Sequence, residues 1–116
     1  MSTEINFHQL AKDGKLNTVD QKLLTAENLL VKDYNGSTPL HWAAQYGHLN
    51  QIPVPILTAE NLLVKDNYGD TPLHGAACNG HLDQIPVPIL TAENLLVKDN
   101  YGYTPLHWVA ENGYLD

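Results

Sequence analysis

The chain has 116 residues, 43% of them apolar, which favours one small folded domain over a disordered polypeptide. Thirteen acidic against six basic side chains give a formal net charge of −7, which opposes binding to nucleic acids and anionic membranes, so we expect neither as a partner. There is no apolar run of about 20 residues and no secretory signal, and the single cysteine excludes an internal disulfide; we therefore expect a soluble and intracellular protein.

The sequence repeats itself with a period of 33 residues. Thr-Pro-Leu-His begins at Thr38, Thr71 and Thr104. A ten-residue segment recurs unchanged at residues 24–33, 57–66 and 90–99. We therefore divide the chain into one array: 1–33, an N-terminal capping repeat; 34–66 and 67–99, full repeats; and 100–116, a C-terminal half repeat.

The first copy differs from the others in two places. It starts with Ile5-Asn6-Phe7-His8 in place of Thr-Pro-Leu-His, and its many charged residues suit a polar terminal cap. Asp20-Gln21-Lys22 replaces the Pro-Val-Pro of residues 53–55, so we predict a continuous second helix in this copy.

Each full repeat opens with a turn and a short helix. Residues 66–69, Asp-Asn-Tyr-Gly, have the composition of a tight turn. Thr71 then supplies an N-cap oxygen, Pro72 suits the first helical position, and Gly80 is placed to end the helix in a left-handed conformation. Such a helix is too short to be stable alone, so it must pack against its neighbours.

The second half of the repeat contains two prolines. A helical stretch begins at His81, but Pro86 and Pro88 push the preceding residues, Ile85 and Val87, away from the α region. We therefore predict a short segment, an extended or irregular step, and a single capped turn starting at Thr91.

These units resemble the ankyrin repeat, whose signature is Thr-Pro-Leu-His-x-Ala-Ala followed by Gly-His-Leu. Residues 38–44 with 47–49 and residues 71–77 with 80–82 match it, and residues 104–110 with 113–115 match it less closely. The resemblance implies an all-α ankyrin-repeat solenoid that binds other proteins through a concave face of turn tips and first helices. The Pro-Val-Pro segment departs from the family pattern and leaves the backbone path of the convex side open.

The candidate partner-binding residues lie in the turn tips and first helices, where the near-identical copies differ and where the family binds its partners. They are Tyr34, Asn35, Ser37, Trp42, Gln45, Tyr46, Asn67, Tyr68, Asp70, Cys78, Asn79, Asn100, Tyr101, Tyr103, Trp108, Glu111 and Asn112. Their aromatic side chains are typical of binding hot spots. The alternatives are neutral drift at exposed positions and, for Trp42 and Trp108, a structural role in covering the alanine layer.

The histidines and the cysteine do not indicate catalysis or metal binding. His41, His74 and His107 are 33 residues apart, and the resemblance implies that each ring hydrogen-bonds a turn backbone. No pair has the i, i+3 or i, i+4 spacing of metal ligands on one helix, and no nucleophile or phosphate-binding motif is present. We expect no enzyme activity, no metal and no cofactor.

Val54 and Val87 suggest a second, structural function. They either pack inward or form an exposed apolar strip on the convex side that drives self-association. The sequence also stops after a first helix, so either the chain is an excised fragment or its uncapped end is covered by another molecule, which makes a homo-oligomer the alternative partner. A natural or engineered repeat scaffold is therefore the competing interpretation.

Overall fold

A computed structural model describes residues 5–111 of the chain. Seven α-helices lie within this range: α1 Phe7–Asp13, α2 Ala26–Leu29, α3 Pro39–Tyr46, α4 Ala59–Leu62, α5 Pro72–Cys78, α6 Ala92–Leu95 and α7 Pro105–Glu111. One-turn 3₁₀ helices at Leu16–Thr18, Gln21–Leu23, Leu49–Gln51, Val54–Ile56, Leu82–Gln84 and Val87–Ile89 join them. No strand occurs in this range, which confirms the all-α prediction. None of these helices combines the length and the apolar character needed to cross a membrane.

The first helices begin as the sequence predicts. The Thr38 hydroxyl accepts a hydrogen bond from the backbone N–H of His41 at 3.2 Å. In return, Nδ1 of His41 accepts one from the backbone N–H of Thr38 at 3.0 Å, which completes a capping box. Thr71 and His74 make the same pair of bonds. Each cap satisfies donors that a short helix leaves free at its N-terminus.

Four helices, α1, α3, α5 and α7, stack side by side in chain order. Leu40 and Leu73 point into this stack and are completely buried, as are the alanine pairs of α3 and α5. The alanines allow close approach of neighbouring helices. The resulting structure is a solenoid 47 Å long and 26 by 22 Å across, whose core is shared between successive repeats.

Glutamine side chains join the repeats at the ends of the first helices. Oε1 of Gln84 accepts a hydrogen bond from the Leu49 backbone N–H at 3.1 Å, and its Nε2 donates to the Gly47 carbonyl at 2.8 Å. Gln51 makes the equivalent bonds to the preceding copy. Gly47 is restricted to glycine here, since its φ is 81° and an added Cβ would lie 2.8 Å from the His81 ring.

The proline-containing half of the repeat follows the prediction in part. Ile85 is extended and a capped turn begins at Thr91, as expected. The prediction for Val87 is wrong, because this residue starts a 3₁₀ turn. That turn uses the N–H groups of Ile89 and Leu90, which bond the carbonyls of Pro86 and Val87, so Pro88 stands where no N–H is needed.

The first copy lacks these prolines but has the same interrupted path, so the prediction of a continuous second helix is wrong. Val19 is extended, and Asp20 has φ −56° and ψ 123°, close to the φ −56° and ψ 133° of Pro53. The Asp20 carboxylate also accepts a hydrogen bond from the Lys22 backbone N–H at 3.0 Å. The hydrogen bond from the Lys22 N–H to the Asp20 side chain therefore accompanies the same helix break in the first copy that occurs at proline in the later copies.

Val54 and Val87 are 75% and 79% exposed, so the alternative in which they pack inward is wrong. At α7, Leu106 is 38% exposed, whereas its equivalents Leu40 and Leu73 are completely buried. The interpretation of residues 112–116 as an uncapped end lies outside the described part of the chain.

Candidate partner-binding groove

The turns and first helices form a groove with a notch of about 200 Å³ at its centre. Its lining includes several predicted binding residues: Ser37, Trp42, Gln45, Asp70, Cys78, Asn79 and Trp108. We use the name "notch" for the space above Gly75, between Trp42 on α3 and Trp108 on α7. Because three successive helices contribute to it, the notch exists only in the stacked array.

Trp42 forms the N-terminal wall of the notch and is held in place by three neighbours. Its indole Nε1–H donates a hydrogen bond to Oδ2 of Asp33 at 3.1 Å. Its ring stacks on that of Tyr46, with centroids 6.1 Å apart and planes inclined by 19°. The Lys12 ammonium lies 5.5 Å from the Trp42 ring centroid and 5.8 Å from that of Tyr46, which is cation–π geometry.

Trp108 forms the opposite wall and contacts the preceding turn. Its ring centroid is 5.0 Å from that of Tyr103, and the two planes are inclined by 53°. Tyr103 also contacts the ring of His107 at 4.6 Å. Such inclined aromatic pairs are favourable and fix the orientation of the indole.

Gly75 creates the gap between the two walls, because it occupies the helix position that holds Trp42 one repeat earlier and Trp108 one repeat later. A Cβ at Gly75 would lie 3.6 Å from Gln45, an ordinary contact distance, and its φ is not in the left-handed region. Neither space nor backbone conformation therefore requires glycine here. Its consequence is the notch itself.

Two carboxyl groups of one turn, those of Asp66 and Asp70, line the notch, and Asp99 of the next turn lies beside Asp70. Oδ1 of Asp70 is buried and accepts no hydrogen bond from residues 5–111. Burial, a hydrogen bond with Asp99 and repulsion by Asp99 and Asp66 raise the pKa of Asp70 to about 7. Burial alone would raise the pKa of Asp99 too, but hydrogen bonds with Asp70 and with the backbone of Tyr103 and Tyr101 lower it. Asp70 is therefore the member of the pair that holds a proton.

Asp70, His74 and Asp99 place ligand atoms within 4.8 Å of one another, as a metal site would. Both nitrogens of the His74 ring are already engaged, however. Nδ1 accepts from the Thr71 N–H at 3.2 Å, so Nε2–H donates to the Tyr103 carbonyl at 3.1 Å. The cluster therefore does not fit a metal without breaking the helix cap.

The histidines of the repeated motif differ in role. His41 and His74 bridge consecutive repeats, since Nε2 of His41 donates to the Asp70 carbonyl at 3.1 Å just as His74 reaches Tyr103. Burial lowers the pKa of both rings, which keeps them neutral. Within the described part of the chain His107 makes no such bridge; its side chain is 45% exposed, and its Nε2 lies 3.3 Å from Oε2 of Glu111.

The remaining predicted residues within 5–111 are all exposed: Tyr34, Asn35, Tyr46, Asn67, Tyr68, Asn100, Tyr101, Tyr103 and Glu111. Ser37 is buried and offers little surface. The amides of Asn67 and Asn100 join successive turns, donating to the Tyr34 and Asn67 carbonyls at 3.1 and 3.0 Å. Asn112 lies outside the described residues.

Gly75, Asp66 and Lys12 belong to the groove but were not among the predicted binding residues. The signal for Gly75 was present in the sequence, since tryptophan, glycine and tryptophan occupy equivalent positions in three copies. Gly75 contributes space to the notch and has no side chain to contact a partner.

Comparison with known proteins identifies the repeat. No curated protein matches the chain significantly. A family profile described as ankyrin repeats in three copies matches residues 7–87 and residues 54–116. These matches together cover nearly the whole sequence, and the chain therefore belongs to the ankyrin repeat family.

Proposed function

We propose that the chain is a non-catalytic module that binds a partner protein through its groove. Ankyrin repeats are in general protein-interaction modules. The observation that carries the proposal is a notch of about 200 Å³ with tryptophan walls in the middle of the groove, next to turn tips that expose tyrosines. Tryptophan and tyrosine dominate the binding energy of protein interfaces, and concave apolar clefts are where ligands dock.

The charge of the groove favours a basic partner segment. Asp66 and Asp70 line the notch, and the chain as a whole carries a formal charge of −7. Complementary charge accelerates association and selects against acidic partners. We therefore expect the bound segment to combine cationic and apolar side chains.

A random peptide library displayed on phage tests the proposal even though the partner protein is not identified. Wild-type chain selects peptides, and their affinities are then measured for a variant with Tyr34, Trp42 and Tyr46 changed to alanine. Tyr34 is fully exposed and Tyr46 is exposed, so the loss of these two side chains leaves the core intact. We expect at least a tenfold loss of affinity, about 1.4 kcal/mol, with unchanged far-ultraviolet circular dichroism.

The matched control changes Val54 and Val87 to glutamine, the residue at the equivalent position of the first copy, Gln21. These valines are exposed but do not line the notch. The control should bind the selected peptides as the wild type does. Retained affinity in the triple alanine variant, or loss of affinity in the valine variant, would contradict binding through the groove.

Self-association is the second candidate function, favoured by the exposure of the same two valines and of Leu106. Repeated apolar side chains on a surface are a common basis of protein contacts. Sedimentation velocity at increasing concentration tests this role. It predicts a dimer or larger species that the Val54→Gln, Val87→Gln variant loses, and a monomer at the highest concentration would eliminate it.

A further inference from the structure

We propose that the notch is a socket for one arginine side chain of the partner, held between Trp42 and Trp108 and paired with Asp66 and Asp70. This inference rests on the proposed function and names the chemistry that the groove recognises. It follows from three independent features of the notch: the missing side chain at Gly75, the cation that one wall already contacts, and the unsatisfied oxygen on its floor.

The missing side chain removes a hydrogen-bond donor as well as volume. In the preceding repeat, the Trp42 indole N–H donates to Oδ2 of Asp33. Asp66 is the equivalent of Asp33, and the residue equivalent to Trp42 is Gly75, which has no side-chain N–H to offer its carboxylate. A guanidinium entering the notch supplies planar N–H donors at the place where the preceding repeat has an indole N–H.

One wall of the notch, Trp42, already contacts a cation of this chain. Lys12 and Trp42 line a second depression, separate from the notch. The Lys12 ammonium group is 5.5 Å from the Trp42 ring centroid and 5.8 Å from that of Tyr46. The part of the Trp42 side chain that lines the notch has no side chain at Gly75 to cover it. A guanidinium is planar and weakly hydrated, so it stacks on indole more favourably than an ammonium does.

The floor supplies two carboxyl groups, those of Asp66 and Asp70. Asp70 holds a proton in the free chain, and an entering guanidinium favours its ionised form. Oδ1 of Asp70 is buried and receives no hydrogen bond from the described residues. Asp66 keeps its Oδ1 occupied by the backbone N–H groups of Tyr68 and Asp70, both at 2.9 Å, which fixes the direction of its carboxylate. A guanidinium has donors for both carboxylates at once, and an ammonium cannot match this planar arrangement.

Two variants that copy sibling repeats test the socket while preserving the fold. Gly75→Trp fills the notch with the residue found at Trp42 and Trp108, and Asp70→Ser removes the carboxylate and introduces the residue found at Ser37. Val87→Gln, away from the notch, is the control. Circular dichroism establishes that all three variants fold.

The probes are acetyl-arginine amide and acetyl-citrulline amide, which have nearly the same shape but differ in charge. The indole N–H signals of Trp42 and Trp108 are followed by nuclear magnetic resonance. We expect arginine to shift both signals in a saturable way, with a Kd in the millimolar range, about −4 kcal/mol, and citrulline to bind at least tenfold more weakly. Gly75→Trp should abolish the response, Asp70→Ser should weaken it several-fold, and Val87→Gln should leave it unchanged.

Equal shifts with citrulline, or an undiminished response in Gly75→Trp, would overturn the socket. The peptides selected by the wild-type chain separate this failure from that of the proposed function. Suppose that binding of these peptides requires Tyr34 and Trp42, but that the peptides contain no arginine and bind the Gly75→Trp variant normally. The groove then binds proteins, and the arginine socket is wrong. If substitutions in the groove leave the affinity of these peptides unchanged, the proposed function itself fails.

Discussion

Leu73 and Leu106 occupy the same position in two repeats with the same local sequence, Thr-Pro-Leu-His, but they differ in surroundings. Leu73 is completely buried between α3 and α7, whereas Leu106 is 38% exposed on α7. Local propensity predicts the same cost for replacing either leucine by alanine. Stacking predicts different costs.

The magnitudes follow from burial. Replacing leucine by alanine removes about three carbon groups worth about 0.8 kcal/mol each, and an enclosed cavity adds to this, so Leu73→Ala should cost about 3 kcal/mol. At Leu106 part of the side chain already contacts water and the space left behind opens to solvent. The expected cost there is about 1 to 1.5 kcal/mol.

Urea unfolding followed by circular dichroism at the helical band measures both costs. The urea concentration at the midpoint should be highest for the wild type, lower for Leu106→Ala and lowest for Leu73→Ala. The free energies of unfolding of the two variants should differ by about 1.5 kcal/mol. Equal destabilisation by the two substitutions would show instead that neighbouring repeats contribute little to the stabilising effect of Leu73.

Three further predictions concern the groove and the contacts between repeats. Gly75→Ala should stabilise the chain by about 1 kcal/mol in thermal unfolding, because it removes glycine from a helix interior and its Cβ has room; a lower melting temperature would contradict this. Gln84→Ala should destabilise it by about 2 kcal/mol in urea, since the Leu49 N–H and the Gly47 carbonyl lose their partner, and an unchanged midpoint would show that the glutamine bridge is dispensable. The raised pKa of Asp70, about 7 when folded against 3.8 when unfolded, means that the folded state binds the proton more tightly, so this group costs stability as pH rises from about 4 to about 7. Asp70→Ser should therefore raise the melting temperature relative to wild type at about pH 8 and lose that advantage towards about pH 4; a gain independent of pH would show that Asp70 does not titrate in this window.

Much of the fold could be predicted from the sequence because its determinants are local and repeated. The caps at Thr38 and Thr71 depend on residues three positions away, and the left-handed ends of α1 and α3 depend on single glycines. The period of 33 residues then defines which helices are neighbours.

The predictions for the second helix of the first copy and for Val87 were wrong because different residues can adopt the same backbone conformation. The two prolines of residues 53–55 suggest that proline alone causes the break, yet Asp20 adopts the same conformation through a side-chain cap. The turn at Val87 forms in spite of the following proline because the 3₁₀ hydrogen bonds do not use that nitrogen. Composition alone does not distinguish these routes.

The notch could be predicted only in part, because it depends on distances between repeats. The sequence identified Trp42, Asp70 and Trp108 as variable positions, but the approach of Asp70 to Asp99 in the next turn requires the stacked geometry. The bridging role of Asn67 likewise becomes evident only when the turn of residue 34 lies beside it. These contacts form between residues of successive repeats, and the sequence of one repeat does not specify them.

We propose that one face of the solenoid, formed by turn tips and first helices, binds the partner. The most direct measurement is a map of backbone amide shift changes when the isotope-labelled chain binds a peptide that it has selected. We predict that the largest changes cluster at Trp42, Tyr68, Gly75 and Trp108, with little change at Val87. Changes centred on Val87 and its equivalent Val54, with the groove unaffected, would contradict binding through the groove.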